Sequence, residues 1–178
     1  MTNLAQKEFT RKLGELIVNR NPHAGTRIKK VVVSVGIGKM RANKRFTDEV
    51  QKTLTLITGQ KPISTRARKA IAGFKVRAGD EVGYMVTLRG TRMWDFLKKL
   101  VAIGLPRIRD FRGFKQSSIS DTGAITIAFT EQTTLPEIAA EQVQETHGLS
   151  IAIATSAKTR HEGEAVIKAL GIPFRTHE

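Results

Sequence analysis

The chain has 178 residues, with 30 Lys or Arg against 16 Asp or Glu and a net charge of +14. It contains no cysteine, which excludes disulfides, thiolate metal sites and cysteine catalysis. The N-terminus lacks the apolar stretch of a signal peptide, and no apolar run approaches the roughly 18 residues that a membrane-spanning helix needs. We therefore expect a soluble, cytoplasmic protein with a polyanionic partner.

The positive charge is unevenly distributed along the chain. Residues 1–115 hold 26 Lys or Arg against 8 Asp or Glu, whereas residues 116–178 hold 4 against 8. We expect a single RNA-binding domain over residues 1–178, with a basic body followed by a mildly acidic C-terminal part. A basic surface that serves only solubility is the alternative.

Helical and strand patterns alternate from the N-terminus. The patterns predict a helix over residues 4–18, a β-branched strand over 28–37 and a helix over 46–58, which Gly59 ends. The apolar residues at helical spacing are Leu13, Leu16 and Ile17 in the first helix, and Phe46, Val50, Leu54 and Ile57 in the second.

The middle of the chain predicts a hairpin and a helix. Residues 70–77 and 82–89 have strand composition, and residues 78–81 form the predicted tip between them. Thr91 is the predicted cap of the next helix, which ends near Gly104. Its apolar stripe comprises Met93, Leu97, Leu100 and Val101.

The last third predicts two more strands, over residues 123–129 and 149–155. Pro136 suits the start of an acidic helix between them, and Thr159 with Glu162 forms a capping box for the final helix. Mixed strands and helices with hairpins indicate the α+β class, with helices over one face of an open antiparallel sheet.

Strand alternation predicts that this sheet has two unlike faces. One face is bulky and apolar, so helices are expected to cover it. The other is small and polar, which suits the ribose hydroxyls and phosphates of folded RNA, although an ordinary solvated face is the alternative. Its hydrogen-bonding residues are Ser34, Thr87 and Arg89.

Two basic segments add to the predicted RNA surface. Residues 50–79 contain seven cations and no acid, so these charges cannot neutralise one another and phosphate contact is predicted. In residues 105–115, cations alternate with Phe111 and Phe114, which either hold the loop against the core or face a partner. The seven cations are Lys52, Lys61, Arg66, Arg68, Lys69, Lys75 and Arg77.

No enzymatic motif is complete. Residues 36–40 follow a strand, but the phosphate-binding loop pattern needs Gly where Val33 stands and Ser or Thr where Met40 stands. His161 lacks the second His of a zinc helix, because position 165 is Ala165. We expect no catalytic site, metal, cofactor or small-molecule substrate.

Six segments together resemble the bacterial type of large-subunit ribosomal protein five. They are residues 30–39, 58–62, 67–75, 86–94, 105–113 and 171–175. The resemblance implies an open sheet whose uncovered face binds 5S ribosomal RNA and helps to attach it in the central protuberance of the large subunit. It also implies contacts with large-subunit RNA and neighbouring proteins. A free RNA chaperone or regulator that uses the same face is the alternative.

The resemblance also implies site residues. The RNA contacts carried over are Ser34, Gln60, Thr87 and Arg89, and the cations expected to extend the site are Lys30, Lys61, Arg66, Arg68 and Lys69. Position 34 is usually Asn in the family, so the shorter Ser puts a direct contact there in doubt.

Two further contacts follow from the resemblance. The family's extended hairpin, here about residues 73–83, reaches the elbow of the transfer RNA in the peptidyl site through Lys75, Arg77 and Gly79. A bridge to a small-subunit head protein resembling number thirteen would use residues 107–115 and the acidic helix 136–145. The bridge candidates are Arg107, Arg109, Arg112, Glu137 and Glu141.

Overall fold

The structure is a computed structural model that describes residues 4–16, 25–108, 111–115, 118–139, 141 and 143–175. Its helices are α1 (Leu4–Leu16), α2 (Lys44–Thr58), α3 (Gly90–Lys99) and α4 (Arg160–Ala169). Its strands are β1 (Ile28–Gly36), β2 (Ile63–Arg66), β3 (Glu81–Leu88), β4 (Ile125–Phe129) and β5 (Leu149–Thr155). None of the helices in these ranges is long and apolar enough to cross a bilayer.

The chain forms two compact units that alternate along the sequence. Met1–Val31, Leu88–Ile127 and Ile151–Glu178 belong to the first unit, and Val32–Thr87 and Ala128–Ser150 to the second. The strands form one open five-stranded antiparallel sheet in the order β2-β3-β1-β5-β4. The predicted α+β class is confirmed, and the single domain over residues 1–178 stays a prediction.

Burial alternates along the strands as predicted. In β1 the side chains of Val31, Val33 and Val35 are buried, while Val32 and Ser34 between them are half-buried. The strands β3, β4 and β5 repeat this pattern. The bulky residues therefore occupy one face and the small residues the other, because successive side chains of a strand point in opposite directions.

In the first unit, α1 packs through Phe9 and Leu13, which are both buried. The ring of Phe9 lies 5.1 Å from that of Trp94 on α3. The predicted continuation of α1 to Ile17 and residue 18 lies outside the described residues.

The helix α3 begins earlier than predicted. Its N-cap is Arg89 rather than Thr91, which lies inside the first turn, so the predicted cap was wrong. The chain leaves β3 in an extended conformation at Arg89, turns at Gly90 through a left-handed φ of +59°, which glycine adopts without strain, and continues directly into the helix. The helix then widens into a π-helical turn at Leu100–Gly104, and its predicted end at Gly104 is confirmed.

The helix α2 in the second unit confirms its predicted stripe and stop. Phe46, Val50, Leu54 and Ile57 are all buried. The side chain of Asn43 accepts hydrogen bonds from the N–H groups of Arg45 and Phe46, at 3.1 and 3.4 Å, and so caps the first turn. Gly59 ends the helix at a φ of +65°, a left-handed conformation that glycine adopts without strain.

The predicted hairpin was wrong in its first strand. β3 pairs antiparallel with β2 on one side and lies beside β1 on the other, and in the β2 pairing Ile63 lies opposite Met85 and Thr65 opposite Gly83. Residues 70–77 instead form a small turn, in which an isolated bridge joins Ile71 to Val76. Lys75 has a φ of +51°, so the chain reverses direction inside this segment and cannot form an extended strand.

The predicted acidic helix over residues 136–145 was also wrong, because residues 136–139 and 143–145 form turns, bends and irregular backbone, and Glu141 has 3-10 rather than α-helical conformation. The backbone N–H groups of Gln144 and Glu145 donate to the carboxylate of Glu49, at 3.1 and 3.5 Å. The buried amide of Gln132 donates to the carbonyl of Glu145 at 2.9 Å and accepts from the N–H of His147 at 2.7 Å. These tertiary hydrogen bonds hold backbone groups that a helix would otherwise pair internally.

The capping residue predicted for α4 is confirmed. The hydroxyl of Thr159 accepts from the N–H of Glu162 at 3.3 Å, whereas the Glu162 carboxylate accepts from the N–H of Lys158 at 2.9 Å. The chain leaves the helix at Gly171, whose φ is +83°.

The contact between β3 and β1 generates a stability prediction. A Cβ atom on Gly83 would lie 2.6 Å from the carbonyl oxygen of Val35, a backbone atom that cannot swing aside. Gly83→Ala should therefore lower the free energy of unfolding by about 1–3 kcal/mol, as measured by urea denaturation. Gly36→Ala is the matched control, because a Cβ there meets nothing within 4 Å. Equal stability of the two variants would contradict this packing.

The buried His147 generates a pH prediction. Burial lowers the pKa of its imidazole below the ordinary value of 6.5. Below about pH 6.5 the unfolded chain binds this proton more readily, so the free energy of unfolding should fall as the pH drops. His147→Leu should show a smaller fall than the wild type between pH 7.5 and 5.5, with parallel curves above pH 7.5. Urea denaturation of both proteins at each pH tests this. If the free energy of unfolding falls equally with pH in the wild type and in His147→Leu, the pH effect does not come from His147.

Candidate RNA interface

The sheet presents its predicted polar residues on the side opposite the core. Ser34 on β1 is half-buried, and Thr87 on the adjacent strand β3 is exposed. Arg89 follows directly after β3 in an extended conformation, and its side chain is exposed. These residues are therefore accessible, whereas Leu88, which lies between Thr87 and Arg89, is fully buried.

The rest of this face carries small side chains. The outward positions of β5 are Ser150, Ala152 and Ala154, and those of β4 are Thr126 and Ala128. Among the described strand residues, none on this face is aromatic. Such a surface lets a sugar-phosphate backbone approach closely, but it offers no ring on which a base can stack.

An apolar pair at the edge of the sheet was not predicted from the sequence. Ile63 on β2 lies opposite Met85 on β3, and their side chains are 68% and 36% exposed. Alternation along β3 assigns Met85 to this face, but Ile63 was not assigned, because β2 was not predicted. The four-residue run of β2 alternates too briefly to signal a strand.

Gln60 and Lys61 lie where α2 connects to β2. The N–H of Gln60 donates to the hydroxyl of the buried Thr58 at 3.3 Å, which fixes the turn that follows Gly59. The Gln60 side chain is half-buried and that of Lys61 is exposed. The connection therefore holds both residues next to the edge strand.

This part of the second unit also carries exposed basic side chains. Six of them are exposed and form no ion pair with any residue in the described ranges: Lys61, Arg66, Arg68, Lys69, Lys75 and Arg77. Lys30 on β1 is half-buried. Since no acid in the described ranges pairs with the six exposed cations, solvent ions can compensate their charges, and a polyanion that displaces those ions gains counterion-release free energy.

Residues 67–80, which we call the 67–80 loop, connect β2 to β3 and are fastened at their base. The N–H of Ala67 donates to the carbonyl of Asp80 at 2.8 Å, and the N–H of Gly79 donates to the carbonyl of Ala67 at 2.9 Å. The Asp80 carboxylate accepts from the N–H of Arg77 at 2.9 Å and pairs with the guanidinium of Arg41 at 3.5 Å. Arg41 also donates to the carbonyl of Lys75.

The three predicted transfer RNA contacts lie on this loop. Lys75, Arg77 and Gly79 are exposed, and Gly79 has a φ of +92°. The loop therefore presents the two cations to solvent from a backbone that hydrogen bonds hold in place.

The first unit carries the arginines predicted for the bridge. Arg107 and Arg112 are exposed, and Arg109 lies outside the described residues. Phe111 and Phe114 are half-buried, with ring centroids 5.0 Å apart. The N–H of Phe114 donates to the carbonyl of Pro173 at 3.0 Å, so this segment is held against the C-terminal residues.

The acidic residues predicted for the bridge do not share a helical stripe, because the helix is absent from the described residues. Glu137 is half-buried and Glu141 is exposed. Glu145 is half-buried, and its carboxylate accepts from the side-chain amide of Asn43 at 3.3 Å.

In the part of the chain that the structure describes, no group of three potential metal ligands occurs.

Comparisons with known proteins decide the family. Residues 21–77 match the family described as Ribosomal protein L5, and residues 81–174 match the model for the C-terminus of that ribosomal protein family. The large ribosomal subunit protein uL5 of Synechocystis is 44% identical over 176 residues, covering 99% of this chain and 98% of the relative. The uL5 protein of Acaryochloris marina is 46% identical over 164 residues, covering 92% and 91%. The chain belongs to the uL5 family.

Membership in the uL5 family establishes the general role of the chain. It is a structural, non-enzymatic constituent of the large ribosomal subunit. Its partners are ribosomal RNA and neighbouring ribosomal proteins, and its place is the cytoplasmic ribosome.

A third relative supports the same family. The uL5 protein of Kocuria rhizophila is 47% identical over 151 residues, which cover 85% of this chain and 80% of the relative.

Proposed function

We propose that the open face of the sheet binds 5S ribosomal RNA and attaches it to the large subunit in the central protuberance. The observation that carries the proposal is the accessible row of Ser34, Thr87 and Arg89 beside a fully buried apolar face. Gln60 and the cations Lys30, Lys61, Arg66, Arg68 and Lys69 extend the proposed contact.

Each residue type has a distinct part in this contact. The Arg89 guanidinium forms charge-assisted hydrogen bonds with phosphate oxygens, which are stronger than neutral ones. Hydroxyls such as that of Thr87 pair with the ribose 2′-hydroxyl, which both donates and accepts. The small side chains around them determine how near the RNA backbone approaches. Recognition therefore rests on the shape of folded RNA more than on base sequence.

The half-buried Ser34 weakens one position of the contact. Its hydroxyl keeps a donor and an acceptor, but it reaches less far than the Asn that the family usually has there. A bridging water restores the hydrogen bond at modest entropic cost. Thr87 and Arg89, which are exposed, therefore contribute more of the affinity than Ser34.

We infer a second contact, in which the 67–80 loop touches the elbow of the transfer RNA in the peptidyl site. Its support is the exposure of Lys75, Arg77 and Gly79 on a fastened backbone, together with the absence of any acid in residues 50–79. A fixed cation pair makes a better phosphate contact than a mobile one, because less side-chain and loop entropy is lost on binding.

We also infer a bridge to a small-subunit head protein resembling number thirteen. The exposed Arg107 and Arg112, together with Arg109, provide positive charge, and Glu137 and Glu141 provide negative charge that suits a basic partner. Glu137 lies in a turn and Glu141 has 3-10 conformation, so the two residues do not share an α-helical face. They contribute complementary charge and a faster association rate more than a packed helical interface.

The sheet contact predicts a specific loss of RNA affinity. Arg89→Ala should weaken binding to isolated 5S RNA by about 5- to 150-fold, because a charge-assisted hydrogen bond of about 1–3 kcal/mol is lost. Filter binding at fixed salt, with a size-matched structured RNA for comparison, measures the effect. Arg45→Ala, which removes an exposed arginine from α2, is the control and should change the affinity by less than about twofold. Similar losses for both variants would show that only net charge matters.

The loop contact predicts an effect on a different RNA. The double variant Lys75→Ala with Arg77→Ala should bind 5S RNA as the wild type does, because these residues lie on a loop outside the open face. Large subunits carrying the double variant should release peptidyl-site transfer RNA faster, which nitrocellulose retention of labelled transfer RNA measures. A comparable loss of 5S binding would reject two separate surfaces.

A further inference from the structure

An apolar cleft of about 530 Å³ lies beside the 67–80 loop in the second unit. Its apolar lining comes from Ile71, Phe74 and Val76 of the loop and from Val82 of β3. Arg68 and Lys69 line the cleft as well, and both are exposed. The cleft thus combines an apolar interior with positive charge, and it is large enough for a small organic group.

The aromatic side chain of this cleft is unusually exposed. Phe74 is 77% exposed and Ile71 is 51% exposed, whereas the phenylalanines of α1, α2, α3 and β4 are buried. Leaving a phenylalanine in water forgoes about 1.5–3 kcal/mol of burial free energy. The fold gains little from Phe74, so a partner that covers the ring would recover this free energy.

The backbone holds Phe74 in position even though the core does not. The residue ends a single 3-10 turn, Ala72–Phe74, which the bridge between Ile71 and Val76 closes. Lys75 follows in a left-handed conformation, and Arg41 donates to its carbonyl while pairing with Asp80. A ring presented on a fixed turn loses little entropy when a ligand stacks on it.

The charges around the cleft determine which occupant fits. Arg68, Lys69, Lys75 and Arg77 have no acidic partner in the described ranges, and residues 50–79 contain no acid. An apolar peptide would fill the interior but leave these cations unmatched. A nucleotide matches both features, because its base is a flat π-system and its phosphate is an anion.

We propose that this cleft receives an unstacked nucleobase of the RNA that the 67–80 loop contacts. The base lies against Phe74 and Ile71, and Lys75 and Arg77, the cations of the proposed transfer RNA contact, hold the adjacent phosphates. The inference rests on the proposed contact between this loop and RNA, and it adds base stacking to what would otherwise be a purely electrostatic contact. Stacking does not require a particular base, so the cleft selects unpaired nucleotides rather than a sequence.

The test compares two RNA probes with the full-length protein. One is a hairpin with an open loop of unpaired nucleotides, and the other is a fully paired duplex of equal length, which offers phosphates but no unstacked base. Wild type should bind the hairpin more tightly than the duplex. Phe74→Ala should weaken hairpin binding by about 5- to 150-fold and leave duplex binding unchanged, since about 1–3 kcal/mol of stacking is lost.

Three variants separate stacking from other causes. Phe74→Trp should keep the hairpin preference, and its emission should be quenched by the hairpin but not by the duplex, against a constant background from the buried Trp94. Leu56→Ala removes another exposed apolar side chain, on α2, and should change neither affinity. Lys75→Ala should weaken binding of both probes and reduce the slope of log affinity against log salt by about one, whereas Phe74→Ala should leave that slope unchanged.

The outcomes distinguish this inference from the function on which it rests. If Lys75→Ala weakens binding of both probes but Phe74→Ala binds the hairpin as the wild type does, the loop contacts phosphates and the base cleft is wrong. If neither Lys75→Ala nor Phe74→Ala changes binding of either probe, the loop does not contact RNA, and the proposed transfer RNA contact fails with it. Because Phe74 is largely exposed, unchanged melting temperatures are expected for its variants.

Discussion

The two-residue period of the strands is the constraint on which the rest of the structure depends. Val31 and Val33 on β1, and Ile151 and Ile153 on β5, are completely buried. Each such side chain contributes about 1.5–3 kcal/mol of burial free energy, and a slip of one residue in register would place all of them in water. The core therefore holds the outward positions of Ser34 and Thr87. The polar face keeps its arrangement without a partner, so a bound RNA would not have to order it.

Charge is arranged so that the basic surface does not neutralise itself. Asp80, the first acid after the run from 50 to 79, pairs with Arg41 and fastens the 67–80 loop, and the loop cations remain without acidic partners in the described ranges. In the segment 131–147, by contrast, carboxylates and amides satisfy backbone donors, as Glu49 does for Gln144 and Glu145. Acidic side chains of the second unit thus hold the backbone in both segments, the 67–80 loop and residues 131–147. The chain thus carries a net charge of +14 while it uses several of its carboxylates to hold its backbone.

Local signals were enough to predict most elements of the fold. The strand at 28–37, the stripe of α2 with its Gly59 stop and the Thr159 cap were recognisable because period and capping residues act within a few residues of each other. Tertiary contacts decided the failures. Ile71, Phe74 and Val76 suggest a strand by composition, yet Ile71 and Phe74 are exposed on a turn, and the true strand β2 is only four residues long. The segment after Pro136 has helical composition, but the N–H of Gln144 donates to Glu49 and the carbonyl of Glu145 accepts from Gln132, and these tertiary hydrogen bonds compete with an α-helix. Of the candidate site, alternation located the sheet residues, whereas the cleft depends on a loop shape that no sequence period encodes.

The strand β3 joins the two proposed RNA contacts in the second unit. The 67–80 loop enters β3 at Glu81, and Thr87 lies six residues further on the same strand. Between them, Gly83 approaches the carbonyl of Val35 so closely that a side chain would not fit, and Ile37 donates to the carbonyl of Val82 at 3.1 Å. These contacts fix β3 against β1, so the loop cannot slide along the strand direction without breaking the same register that positions Thr87. Two surfaces suited to different features of RNA, a smooth face for folded backbone and an aromatic cleft for an unstacked base, are thereby kept at a constant spacing by one strand.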